Sequence, residues 1–495
     1  MKKSLRILAA MGLSLLMSTT AMAAGKEDLK IAIDADVNTL HPSDWTTTSE
    51  LNIENQIYDT LIFYARDGQS DPEPRLAESF EISEDGLTYT FHLRDGATFH
   101  DGSAITSEDA KFSIELYAQS EYQSSMAEIA SVEAPDEKTV VITLANPYSP
   151  FLEDVSRQHI ASKAYHDSVD EDTFANQPLG SGAYKFVSHA IGSSIELEAY
   201  EDYYRGAAPI KNVTFSVVPN TASIALMSGD IGFAQIQASD LAQLQAMPTI
   251  TIEEVPTSGF SFLSMNTEKE PFNDVKVRQA INYAINRENI VSVVYDNEAE
   301  ENSNICAKTR FGYSDEQPQY TYDPEKAKEL LAEAGVEEGT NLGTILCADK
   351  YSNLATVLQA DLAAVGLNCD ISVEEFNAYI QDLTSGNYDL CALEMTLDGD
   401  TQMLEMAFTS DYIGTANNAR YSDAEMDDLF AQARVENSDE KRLELYNQIF
   451  TKAQDEAVYA IIANPLELYA YDANLTVTDF VLEGDYYLHD FAWNE

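Results

Sequence analysis

LAESFEISEDGLTYTFHLRDGATFHDGSAITSEDAKFSIEL, residues 76 to 116, decides how this chain is read. Asp85-Gly86 is a turn dipeptide, and after it Leu87, Tyr89, Phe91 and Leu93 alternate with Thr88, Thr90, His92 and Arg94. Side chains along a strand point to opposite faces in turn, so this alternation predicts a strand with one buried face. A second turn falls at Asp95-Gly96. Thr106 with Asp109 three residues later has the pattern of a capping box, and Ala110, Ile114 and Tyr117 then share one helical face. The segment reads as strand, turn, strand, helix.

Outward from it, the N-terminus MKKSLRILAAMGLSLLMSTTAMAAG places Lys2, Lys3 and Arg6 before an apolar run that ends at Thr19-Thr20. The run is shorter than the roughly 20 apolar residues a membrane span needs, and Ala21-Met22-Ala23 offers a small-x-small cleavage site. Residues 1–23 are therefore expected to be a removed secretory signal. No cysteine lies near that site, so a lipid anchor is not encoded, and a soluble periplasmic protein is expected.

The 495 residues carry 29 Lys and Arg against 84 Asp and Glu, a formal charge of -55. Loss of three basic residues with the leader makes it -58, a surface that repels nucleic acid and anionic lipid. Cys306, Cys347, Cys369 and Cys391 admit disulfides or buried thiols equally, and their wide spacing lacks the close pair of a zinc site. Cys347 and Cys369 lie in TILCA and LNCDISV, two apolar segments flanking a helix, which suits neighbouring parallel strands. No GxSxG, GxxxxGK[ST], HExxH or EF-hand pattern is present. With 84 acids, carboxylate pairs arise by chance, so a secreted hydrolase has no positive signal.

Along the chain, residues 24 to 66 read as strand LKIAIDA, a loop and a helix through ELNIENQIYDTLIF. Strands SSIELEAY and NVTFSVVP and the stretch TASIALMSG follow the hairpin block. Long helices are expected at VRQAINYAINRENIVSVVY and PEKAKELLAEAGV, then strand TILCA, helix SNLATVLQADLAAVG and strand CDISVEEF. A sheet with covering helices places the chain in the α/β class.

Taken as a string, residues 76 to 116 resemble the diagnostic segment of the family 5 extracellular solute-binding proteins. Further blocks occur in that family's order: NTLHPSDW (38–45), IYDTL (57–61), PLGSGAYKF (178–186), EDYYRGAAPIKNVTF (201–215), NDVKVRQAINYAINRENI (273–290), YDLCALEMTLDGDTQMLEMAF (388–408) and YSDAEMDDLFAQA (421–433). The resemblance implies a periplasmic-binding-protein-like fold. It implies a discontinuous lobe from 24–66, 189–258 and 465–495, an inserted lobe at 67–188, and a third lobe at 259–464 joined by two hinge strands. It further implies a monomeric receptor without cofactor that captures short peptides between lobes and passes them to the permease of an ABC importer. A nickel complex or an oligosaccharide is the alternative ligand.

Site residues follow from the same resemblance. Peptide receptors of this family hold the ligand ammonium with an aspartate in a Trp-containing segment that here reads Glu394 to Thr401. Met395 stands at the tryptophan, and Asp398 and Asp400 are the candidate anchors. A desolvated ammonium needs such a counter-charge; Asp-Gly-Asp is also ordinary turn chemistry. Trp45 with Thr46, Thr47 and Thr48 offers an aromatic wall beside hydroxyls. Lys350, Tyr351 and Arg420 are candidates for the far end of the ligand. His92 and His100 are expected to be structural histidines of a packed turn.

Overall fold

The computed structural model describes residues 26–64, 71–120, 128–397, 400–478 and 484–494. The expected leader, residues 1–23, lies outside them. Within 76–116 the strand runs Thr88–Leu93 between Ala77–Ile82 and Thr139–Leu144, and Ile129–Asp136 completes an antiparallel four-stranded sheet. Tyr89, Phe91 and Leu93 are its buried side chains. Gly86 and Gly96 turn at φ +67° and +80°, conformations that glycine reaches without a Cβ clash. The helix is Ser107–Tyr117, where the Asp109 carboxylate accepts from the Thr106 N–H (3.0 Å) and hydroxyl (2.7 Å).

The other large element is a twelve-stranded sheet. One part orders Tyr184–Ala190, Ser194–Ala199, Asn212–Val217, Asp28–Ile33 and Phe233–Gln235; the other orders Phe260–Met265, Leu390–Met395, Thr340–Ala348 and Leu367–Glu374. Between them lies one long strand, Tyr459–Asp472. Its first residues pair with Phe260–Met265, and from Leu466 onward it pairs with Ile250–Pro256. Thr340–Ala348 runs parallel to Leu367–Glu374, with helix Ser352–Ala364 as the crossover. That is the strand, helix, strand unit expected from TILCA to CDISVEEF. All four cysteines are buried free thiols, and burial pushes the Cys306 and Cys391 thiols up to about 12.

Two elements differ from expectation. The helix expected through 63 is Thr48–Ile57, after which Asp59–Thr60 and Ile62–Phe63 turn to extended pairing with His159–Ile160 and Glu73–Pro74. The single helix expected at VRQAINYAINRENIVSVVY is two, Val275–Ala284 and Arg287–Val294. Asn286 breaks it: its side chain accepts from the Asn289 N–H (3.1 Å) and its own N–H donates to Asp361 (2.9 Å). An Asn that caps a new helix outcompetes continuation of the old one.

Among the described residues the apolar core falls into four clusters. One draws on residues between Phe260 and Ala463, one on residues between Leu61 and Ile160. Another joins the N-terminal strands to Tyr469, Tyr471 and Phe491. The fourth holds the helices Ala222–Ser228 and Ala238–Gln245 against Leu468 and Ala470. Among the described residues no helix is long and apolar enough to cross a membrane.

Candidate functional site

The two parts of the sheet are joined where the chain crosses at Thr257–Phe260 and at Asn464–Leu466, and here backbone and side chains are tied closely. Thr257 donates to the Pro465 carbonyl (2.7 Å), Asn464 to the Gly259 carbonyl (2.7 Å), and Asn302 to the Asn464 side chain (2.8 Å). A cavity of about 310 Å³ opens against this crossing. Thr257, Gly259 and Phe260 line it from one crossing segment, and Pro465, Leu466 and Glu467 from the other.

The N-terminal loop and helix form a further wall with Trp45, Thr48 and Leu51. Their position is set by Glu50. Its carboxylate accepts from the N–H groups of Asn38 (2.8 Å), Thr46 (2.8 Å) and Thr47 (3.1 Å), while the Thr47 hydroxyl caps helix Thr48–Ile57 by accepting from the Glu50 N–H (3.2 Å). Burial works to raise the Glu50 carboxyl, but those donors outweigh it and hold it below its ordinary value. The far end of the helix is seated by the GSG of PLGSGAYKF. Gly182 N–H donates to the Ile57 carbonyl (2.8 Å), and a Cβ on Gly180 or Gly182 would collide with the carbonyl oxygens of Ile57 or Gln56.

Strand Leu390–Met395 contributes Glu394 and Met395, followed by Thr396. Glu394 is held by the Tyr295 hydroxyl, which donates to Oε1 at 2.7 Å. Burial, and then the Glu394 charge, raise the Tyr295 phenol, so it stays a donor. Asp485 and Arg157 complete the lining. Arg157 ends the short helix Phe151–Ser156. Its Nε and Nη2 are buried and donate to no protein group among the described residues. A buried guanidinium nitrogen without an acceptor is costly unless an anion arrives.

The structure thus brings Trp45, Thr48 and Met395 together at one cavity, and Thr46, Thr47, Lys350, Tyr351, Asp400 and Arg420 are not in its lining. Thr46 donates its hydroxyl to Glu50 (3.0 Å) and Thr47 is the cap, so both position the wall rather than form it. Tyr351 is buried behind the strand, its hydroxyl 3.5 Å from the Glu394 carbonyl, with the Lys350 ammonium 4.6 Å above its ring. Arg420 pairs with Glu268. Asp400 caps the turn Thr401–Leu404 and faces Arg442 at 3.7 Å, in a separate hollow of about 420 Å³. Asp398 lies outside the described residues; Arg310 donates to the carbonyls of Leu397 and Asp400. His100 is structural, its Nε2 3.0 Å from the Gly182 carbonyl.

Arg157, Glu394, Glu467 and Asp485 were not among the sequence candidates. Glu394 and Glu467 had a signal: each is an acid inside an otherwise apolar strand, LCALEM and NPLELYAY. Arg157 had none, because only the folded chain brings residue 157 to the crossing.

A cavity carrying both signs of charge, an aromatic wall and hydroxyls, set where two parts of a sheet are joined by two crossing segments, has the chemistry to hold a small polar solute. The chain belongs to the bacterial extracellular solute-binding proteins, family 5, whose model matches residues 71–415. It is 29% identical to the dipeptide-binding protein of Escherichia coli over 92% of each chain. It is 31% identical to heme-binding protein A of Haemophilus influenzae over 83% of this chain and 82% of that one. Among solved structures it resembles the ABC transporter-associated periplasmic binding protein DppA of Helicobacter pylori in complex with the peptide STSA. The TM-score is 0.75 at 28% identity, covering 95% of this chain and 99% of that one.

Proposed function

We propose that this protein captures short peptides in the cavity at the strand crossing and delivers them to the permease of an ABC importer. The observation that carries the reading is Arg157: its unpartnered, buried guanidinium nitrogens share one small cavity with the carboxylates of Glu394, Glu467 and Asp485. A peptide brings one carboxylate and one ammonium, and each needs a counter-charge once stripped of water. The volume lies at the lower end of ligand cavities, about 300 to 1,000 Å³, which suits a ligand of a few residues. The dipeptide-binding and STSA-bound relatives support the same class.

The chain works as a monomer of three lobes, 24–66 with 189–258 and 465–495, 67–188, and 259–464; an apolar cluster confined to Phe260–Ala463 supports the third. Ligand contacting both sides of the crossing favours the closed form over the open one.

Thermal shift on the mature protein tests the reading with di- to tetrapeptides, the same peptides amidated at the C-terminus, heme, and nickel with histidine. Free peptides are expected to raise the midpoint by a few degrees. Arg157→Gln is expected to weaken free peptides at least tenfold, since a charge-assisted hydrogen bond contributes about 1.5–3 kcal/mol, and to leave amidated ones nearly unchanged. Stabilisation by heme or the nickel complex alone would keep the receptor and overturn the peptide.

A further inference from the structure

The charges of the cavity do not balance, even for the ligand just proposed. Arg157 supplies one positive charge, and Glu394, Glu467 and Asp485 supply three negative ones, a net of minus two. A peptide with neutral side chains adds one ammonium and one carboxylate and leaves that net charge as it was. Like charges gathered in a small, partly desolvated space repel strongly, and a ligand that lowers the net charge is favoured over an otherwise equal one.

Glu394 is the acid best placed to act on that difference. It lies near the end of strand Leu390–Met395, opposite Ser261 of Phe260–Met265, while Leu390 and Cys391 also pair with Thr340–Ala348. Oε1 is fixed by the Tyr295 hydroxyl at 2.7 Å, and Oε2 has no hydrogen-bond donor among the described residues. A carboxylate held by one oxygen and open at the other is pre-oriented to accept from a cation, so little side-chain entropy is lost on binding. Around it, Trp45, Phe260 and Met395 line the same cavity. They offer apolar surface for the methylene stem of a lysine or arginine, whose head must reach an acid.

We infer that the cavity selects peptides bearing a basic side chain and that Glu394 is the residue that sets this preference. The inference rests on the peptide reading above and narrows it to a charge class. Glu467 and Asp485 add to the field that attracts the cation, and so, at long range, does the -55 formal charge of the chain, which speeds the encounter with cations.

The test is titration calorimetry on the unaltered mature protein with a matched ligand set: alanyl-lysine, alanyl-N-acetyl-lysine and alanyl-norleucine, the last having the same stem without the ammonium. Alanyl-lysine is expected to bind at least tenfold more tightly than either neutral analogue at low salt. Glu394→Gln, which keeps the size of the side chain and an acceptor for Tyr295, is expected to reduce the preference to threefold or less. Equal binding of the three peptides to the unaltered protein would overturn the charge preference and leave the peptide receptor standing. A preference that survives Glu394→Gln would overturn the role of Glu394, and no binding by any of the three would overturn the inference together with the peptide reading beneath it.

Discussion

At the scale of single residues, the same chemistry serves two ends in neighbouring hollows. Arg157 Nε and Nη2 have no acceptor among the described residues, whereas Arg442 is met by Asp400 at 3.7 Å and Asp439 at 3.5 Å and lies over the Phe311 ring at 4.6 Å. Asp400 also accepts from the Gln402 N–H at 2.8 Å and from the Tyr446 hydroxyl at 3.4 Å. Asp400→Asn is therefore expected to cost about 1–3 kcal/mol of stability, because it leaves the buried Arg442 under-compensated. Peptide affinity is expected to change less than threefold. Urea unfolding beside calorimetry separates the two, and a tenfold loss of affinity with unchanged stability would return Asp400 to the site. The sequence made an acid near 398–400 conspicuous; it carried no sign that Arg442, some 40 positions on, would claim Asp400.

At the scale of elements, local patterns were the legible part. Alternation over 87–94 matches strand Thr88–Leu93, and the Thr106 and Asp109 spacing matches a helix starting at Ser107. These signals are short-range, set by pleat and by capping, and need no distant partner. Helix ends were less legible: tertiary pairing of 59–60 and 62–63 cut the first helix short, and an Asn cap split the helix pair at 286. The three threonines after Trp45 separate in the same way, one bonded to Glu50, one capping, one facing the cavity. Removing the cap by Thr47→Ala is expected to cost about 1 kcal/mol and to loosen the Trp45 wall. Urea titration followed by tryptophan fluorescence reads the first effect, and a several-fold weaker peptide affinity reads the second. Unchanged affinity would show that Glu50 alone seats the loop.

At the scale of the molecule, histidines wholly or partly buried join segments far apart in sequence. His100 meets the Gly182 carbonyl, and His159 lies 3.0 Å from the Asn55 side chain and 3.3 Å from the Pro42 carbonyl. Burial pushes each down to about 4, from 6.5. The unfolded chain then takes up protons near pH 6.5 while the folded one resists until about pH 4. Stability is expected to fall across that window by up to roughly 3 kcal/mol per histidine. Glu54, whose carboxyl is held well above its ordinary value by burial, acts in the opposite sense, losing stability as pH rises. His100→Gln is expected to flatten the decline of the thermal midpoint between pH 6.5 and 4.5, and Glu54→Gln to flatten its alkaline side. A midpoint profile that neither variant alters would mean that these groups titrate alike in both states.

The strand Tyr459–Asp472 belongs to both parts of the large sheet, yet more than nine-tenths of the sequence precedes it. Both parts of the sheet thus wait on this one late strand for their common neighbour. The architecture of the sheet is therefore decided by residues that the ribosome delivers almost last.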